Sequence, residues 1–219
     1  YRPSNMITVI VGDVNTQDAL AAVKKEFNIK ETTRVKLPHY KMDKNIEKQQ
    51  EIISKDNVKT GYLLIGFRGV NANDRKDQYA LDVLATILGD GRSSKLYHIV
   101  KDQKQLAFSI SSGHSSMKDD SIFYIQANFK PENIDKLKSS IFCEIEKMRQ
   151  GRFDDQDILT AKNIIERDTY YARESTANVA NELGYTTLVY NDTKFYDEYV
   201  PNICLLYTSD AADDGESVD

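Results

Sequence analysis

Residues 84–108, LATILGDGRSSKLYHIVKDQKQLAF, constrain this chain more than any other stretch. An apolar helix end meets Gly89 where a helix stop is expected, and Gly91 supplies a second flexible joint. Ser93 or Ser94 is placed to accept a backbone N–H at the start of a short helix that carries Leu96, Tyr97 and Val100 inward. Leu106, Phe108 and Ile110 then alternate with Ala107, Ser109 and Ser111, the period of a half-buried strand. Any fold for this chain must therefore turn from helix to helix to strand within 25 residues.

The same letters raise a chemical question. GDGRSSK superficially resembles a phosphate cradle, but such a loop follows a strand and carries Lys-Ser or Lys-Thr after its last glycine. Here a helix precedes, and Lys95 comes after the serines. A structural turn is the preferred reading, and a phosphate-binding domain is the weakest of three functional readings.

The rest of the chain supplies a core. Met6–Val11 is a β-branched run bounded by Gly12 and reads as a buried strand; Gln49–Lys55 and Thr60–Phe67 read as two more, with Gly61 weakening the latter. Asn15 followed by Asp18 is an N-cap pattern, and Asn71 followed by Asp74 is another, opening the helix whose stripe is Tyr79, Ala80, Val83, Leu84, Ile87 and Leu88. Asn28–Asn45 reads as a loop. Ser121–Phe129 is apolar on both faces, as for a central strand, and Pro131 opens a long helix. Phe153-Asp154-x-x-Asp157-Ile158 has the form of a capped, stapled helix start, and two further helices follow. Four of the five strands occur as neighbouring pairs. The expected fold is therefore α+β: a two-layer sandwich with a mainly antiparallel five-stranded sheet and helices packed on one face.

Charge excludes some partners. The net charge of −5 comes from the last 16 residues, where Asp210, Asp213, Asp214, Glu216 and Asp219 stand without a base. Removing these five from the 34 acids leaves 29, matched by 29 Lys and Arg. No basic stripe for nucleic acid remains, and no apolar run approaches the roughly 18 residues of a membrane helix. The segment 204–219, CLLYTSDAADDGESVD, resembles a translated sequencing adapter; it is expected to be disordered and outside the fold, which would then occupy 1–203. The chain opens on Tyr1 with no charged-then-apolar leader, so a targeting signal is expected outside it. Cys143 is expected on the buried side of its helix as a small core residue, and no disulfide framework is possible.

As an ordered set, these segments resemble the pitrilysin- and insulinase-type zinc peptidases. That family carries L-G-x-G-x-S-S-R-L-[FY] and then R-x-x-x-x-L-[GA]-Y; this chain has Leu88-Gly89-Asp90-Gly91-Arg92-Ser93-Ser94-Lys95-Leu96-Tyr97 and then Lys101 through Phe108. Tyr1-Arg2-Pro3-Ser4-Asn5-Met6 looks like the opening of the family's second, non-zinc domain. The family's zinc site, H-x-x-E-H, has no counterpart here, since none of His39, His98 and His114 has a second histidine four residues away. The resemblance implies that this chain has no catalytic residue and no metal ligand of its own, with zinc in the parent assembly. It also implies a partner, either the zinc-bearing domain of the same parent chain or a second subunit, and a peptide as substrate.

The resemblance further assigns Lys101 and Phe108 to the positions of an arginine–tyrosine pair that holds substrate and stabilises the developing oxyanion. Lysine lacks arginine's planar fork, and phenylalanine has no hydroxyl to donate. Two functions follow as expectations: a chamber-forming, substrate-enclosing domain of a zinc-dependent metalloendopeptidase that degrades or processes peptides, or a non-catalytic scaffold or partner subunit homologous to it.

Overall fold

The computed structural model describes residues 5–27, 48–54 and 57–206, and the chain divides into two compact units. One comprises Tyr1–Ile52 with Tyr170–Tyr196, the other Ile53–Thr169 with Asp197–Asp219. The second unit holds the sheet. Strands β1 (Gly61–Arg68), β2 (Ala107–Ser116) and β3 (Ser121–Phe129) form one antiparallel sheet in the order β1-β3-β2. β3 is central, as its two apolar faces suggest. The fold is α+β, but among the described residues the sheet has three strands rather than five.

The two missing strands share a cause. Among the described residues Met6–Val11 and residues 48–54 join no ladder, and Met6, Ile7, Ile10, Ile52 and Ile53 are exposed. A β-branched run signals a fit to a pleated, half-buried surface; without a neighbouring strand nothing hydrogen-bonds it into a sheet. The expected loop at 28–45 lies outside the described residues.

One face of the sheet is buried and the other is open. Ile65, Phe123, Ile125, Ala127, Phe129 and Ile110 point inward, whereas Tyr62 and Leu64 are 75% and 72% exposed. Gly61, an intrinsically weak strand former, is the first residue of β1. It pairs with Phe129, whose ring occupies the space where a Cβ would sit, 2.6 Å from it, so the aromatic covers the bare backbone.

Helix α1 (Thr16–Phe27) opens as its sequence predicts: Asn15 Oδ1 accepts from the N–H groups of Gln17 and Asp18. Helix α2 (Arg75–Gly89) starts later than the Asn71–Asp74 pattern suggests. Asn71 instead closes a turn of its own, accepting from Asn73 N–H and donating to Asp74 Oδ2. α2 lies against β2, pinned where Ser112 Oγ donates to the Ala85 carbonyl at 2.8 Å. Helix α3 (Ile134–Arg149), after the 3-10 turn Pro131–Asn133, buries Leu137, Ser140, Ile141, Glu144 and Met148. That stripe leaves Cys143 exposed, contrary to the core position expected for it, because residue 143 falls two positions past Ile141 and turns roughly 200° away.

Helix α4 (Asp155–Ala172) begins with a reciprocal box: Asp157 N–H donates to Asp154 Oδ1 at 2.8 Å and Asp154 N–H to Asp157 Oδ2 at 3.1 Å. Helix α5 (Thr176–Tyr190) is capped by Ser175 and ends at left-handed Asn191. In the first unit Arg173 donates to both Glu182 carboxylate oxygens and to the Tyr196 carbonyl, with its guanidinium 3.8 Å from the Tyr196 ring centroid. Tyr190 and Phe195 stack at 3.8 Å.

Helix α6 (Lys194–Leu205) contains Pro201 and crosses the boundary expected at Ile203. Ile203 and Leu206 are buried, and Lys162 Nζ donates to the carbonyls of Cys204 and Leu206. An ammonium on the last carbonyls satisfies acceptors that a helix end leaves open.

Candidate functional site

The turn after α2 is built by close approach. A Cβ on Gly89 would sit 2.4 Å from the Ser112 backbone nitrogen, so only glycine lets the helix end reach β2. Gly91 then takes φ +73°, a conformation open to glycine without steric cost. Ser94 does not accept a forward N–H as its sequence position predicts. Its hydroxyl donates back to the Gly91 carbonyl at 2.8 Å, tightening the turn. Lys95, the cation of the apparent phosphate loop, is paired at 2.6 Å with Asp157. Burial works to raise the Asp157 pKa, but hydrogen bonds from Lys95 and the Asp154 backbone outweigh it and hold the carboxyl below its ordinary value. GDGRSSK is thus a structural joint fastened to the start of α4.

From Lys95 the chain is helical, passing into a π-helix over Tyr97–Gln103 that buries Val100. Lys104 N–H reaches the Ile99 carbonyl and Leu106 N–H reaches Val100, closing the wide turn. Closure places Gln105 in the left-handed region at φ +51°. β2 then begins with a bulge: Ala107 pairs with Phe129 but Ser109 with Asn128, so Phe108 is the extra residue. The bulge breaks the expected alternation. Ala107 and Ile110 point inward and Phe108 is turned out, 52% exposed.

These irregularities shape an open cleft of about 660 Å³ lined by Lys101, Asp102, Gln105, Ala107, Phe108 and Lys130. The two residues singled out from the sequence, Lys101 and Phe108, therefore line one site. Lys130, which no sequence signal marked, joins them because it follows Phe129, the β3 partner of Ala107. Lys101 Nζ lies 4.4 Å from the Tyr97 ring centroid.

A second polar cluster is structural. His114 on β2, its side chain 2% exposed, donates from Nδ1 to Asp82 Oδ1 of α2 at 2.7 Å, and Tyr199 of α6 donates to Asp82 Oδ2 at 2.9 Å. A carboxylate only accepts, so His114 Nδ1 must carry the proton. Its Nε2 is buried with no hydrogen-bond partner among the described residues. Tyr79 packs edge-on to Tyr199, and burial pushes its phenol pKa up.

The two described histidines stand in separate places. His98 faces Gln103, His114 is committed to Asp82, and His39 lies outside the described residues. Among the described residues no group of three or more His, Cys, Asp or Glu side chains could hold a metal ion. No described helix is long and apolar enough to cross a membrane.

The architecture is thus a half-open antiparallel sheet backed by α2 and closed by the glycine turn, an α+β domain with no group of metal ligands among its described residues. Comparison with known proteins agrees: the family model for the peptidase M16 inactive domain matches residues 1–165, and the chain belongs to that family. It is 31% identical to the zinc protease PqqE of Helicobacter pylori over 96% of its own length and 48% of the relative's. It is also 28% identical, over 71% of its length, to a Bacillus subtilis protein named "Probable inactive metalloprotease YmfF". The crystal structure of a protease from Helicobacter pylori superposes with a TM-score of 0.79 at 29% identity, covering 91% of this chain and 49% of that one. A peptidase M16 inactive domain from Pseudomonas fluorescens shares the fold, with a TM-score of 0.60 at 18% identity. The chain thus spans about half the length of the zinc protease it matches.

Proposed function

We propose that this chain is a substrate-enclosing wall of a zinc-dependent metalloendopeptidase, pairing with a zinc-bearing domain of the same parent or of a partner subunit. One observation carries the proposal: similarity to zinc protease PqqE runs through 96% of the chain yet fills only 48% of that protein. The remaining half is where ligands, catalytic base and an open metal position would have to reside. The wall's part is to hold an unfolded peptide in reach of that centre and to keep bulk water out.

Lys101 and Phe108 favour a second reading, a non-catalytic scaffold. They stand at the arginine–tyrosine positions without the fork or the hydroxyl that such positions supply, and one relative is itself named inactive. The two readings separate on the zinc-loaded parent. Zinc-dependent cleavage of an unfolded peptide by that parent is the expected result; a parent with no such turnover leaves the scaffold. Placement of the domain separates on Lys101→Arg combined with Phe108→Tyr. If the cleft lies away from the metal, turnover stays unchanged, which is the outcome expected. A gain of about tenfold, equal to about 1.4 kcal/mol of barrier, would instead put the cleft opposite the zinc.

A further inference from the structure

At the start of β2 the local pattern and the observed structure point one large side chain in opposite directions. Leu106, Phe108 and Ile110 alternate as the buried side of a strand, yet Phe108 is half exposed and Ala107 is buried in its stead. The bulge is the cause. Ser109 pairs with Asn128 and Ile110 with Ala127, so an unbroken ladder would set Phe108 opposite Phe129. Ala107 holds that position instead, and Phe108 is the extra residue.

The bulged register carries three costs within four residues. A phenyl ring stays in water, a ladder pair is lost, and Gln105 is held in the left-handed region at φ +51°. The wide turn before the strand opposes them. Lys104 N–H donates to the Ile99 carbonyl at 3.0 Å and Leu106 N–H to the Val100 carbonyl at 2.9 Å, while the Asn133 amide donates to the Leu106 carbonyl at 3.4 Å.

The regular register is open to the same chain. The Phe129 ring lies over Gly61, on the β1 side, and its neighbour on β2 is the methyl of Ala107. A second ring entering there would pack against the first. The change passes one residue from the strand into the turn at 103–106 and frees Gln105 from its left-handed position. From Ser109 onward the ladder keeps its pairing.

We propose that the start of β2 is a two-register switch, with Phe108 turned out in the bulged register and packed against Phe129 in the regular one. An exposed ring and a left-handed residue are exchanged for the hydrogen bonds of the turn. Opposing terms of this kind populate a minor state at about 0.1–10%. Phe108 lines the cleft beside Lys101 and Lys130, so the register decides whether that cleft has an aromatic wall. Packed elements change between discrete arrangements rather than by degrees, and any contact with the outward ring selects the bulged one. The switch stands whether or not the parent cleaves peptides.

The test places 4-fluorophenylalanine at position 108 of the full 219-residue chain and reads its fluorine resonance. Two signals, or one line with relaxation dispersion, are expected: a major one with the solvent isotope shift of an exposed ring and a minor one without it. Gln105→Gly removes the left-handed cost from the bulged register, so the share of the buried signal should fall about fivefold. Gln105→Val puts a β-branched side chain where it fits poorly and should raise that share by at least as much. A sample unfolded in urea fixes the position of the unfolded signal, so a loss of fold is not read as a change of register. A single exposed signal with flat dispersion in all three chains, or a buried signal indifferent to residue 105, would overturn the proposal.

Discussion

At the scale of single residues, exposure and backbone conformation set the reactivity of a side chain and its contribution to stability. Cys143 lies among apolar neighbours in the chain but faces water on α3, as does Cys204 on α6. A thiol reagent should therefore titrate both cysteines in the native protein without denaturant; slow or partial reaction would place one of them in the core. Gln105 occupies a left-handed position that costs a residue with a Cβ about 1 kcal/mol. Gln105→Gly should raise stability by about that amount in urea melts. The His114–Asp82 pair predicts the opposite sign. Asp82→Ala strips a buried imidazole of its acceptor and leaves Tyr199 without one, so a loss of about 2–3 kcal/mol is expected. None of these three is visible as a sequence pattern, because αL strain and burial are set by how distant segments meet.

At the scale of elements, the turn from α2 to β2 is governed by contact rather than by flexibility. Gly89→Ala presses a methyl into the Ser112 backbone and should cost about 1–3 kcal/mol, although alanine is the better helix former. The start of α4 adds a pH dependence. Asp157 has its pKa lowered in the folded chain, so its stabilisation is present above the ordinary carboxylate value of 3.8 and lost as pH falls through the lower folded value. Lys95→Met should narrow the stability gap between pH 6 and pH 3 relative to the parent chain, measured by urea unfolding at each pH. The capping box at Asp154–Asp157 was legible from spacing because both partners are local. The ion pair of Asp157 with Lys95, 62 residues away, was not.

At the scale of the whole molecule, length and order of segments carried the family. The glycine turn, the apolar stripe of α2 and the central strand β3 all depend on neighbours close in sequence, and each was readable from period and spacing alone. Lys101 and Phe108 stand out only by resemblance, and the structure places both along one open cleft. Tertiary structure alone decided the rest. Whether Met6–Val11 joins a sheet depends on a partner strand, not on its own β-branched side chains. Lys130 enters the cleft through the pairing of β3 with β2, and Phe108 turns outward because the register slips by one residue at the bulge. Period-2 alternation predicts a side chain's face only while the ladder is regular, and a single inserted residue reverses it. The sequence therefore determined the elements whose signals are local, the helices, the glycine turn and the central strand, and the family they compose. The pairing of those elements across the sheet, which no local pattern encodes, determined which side chains share the site.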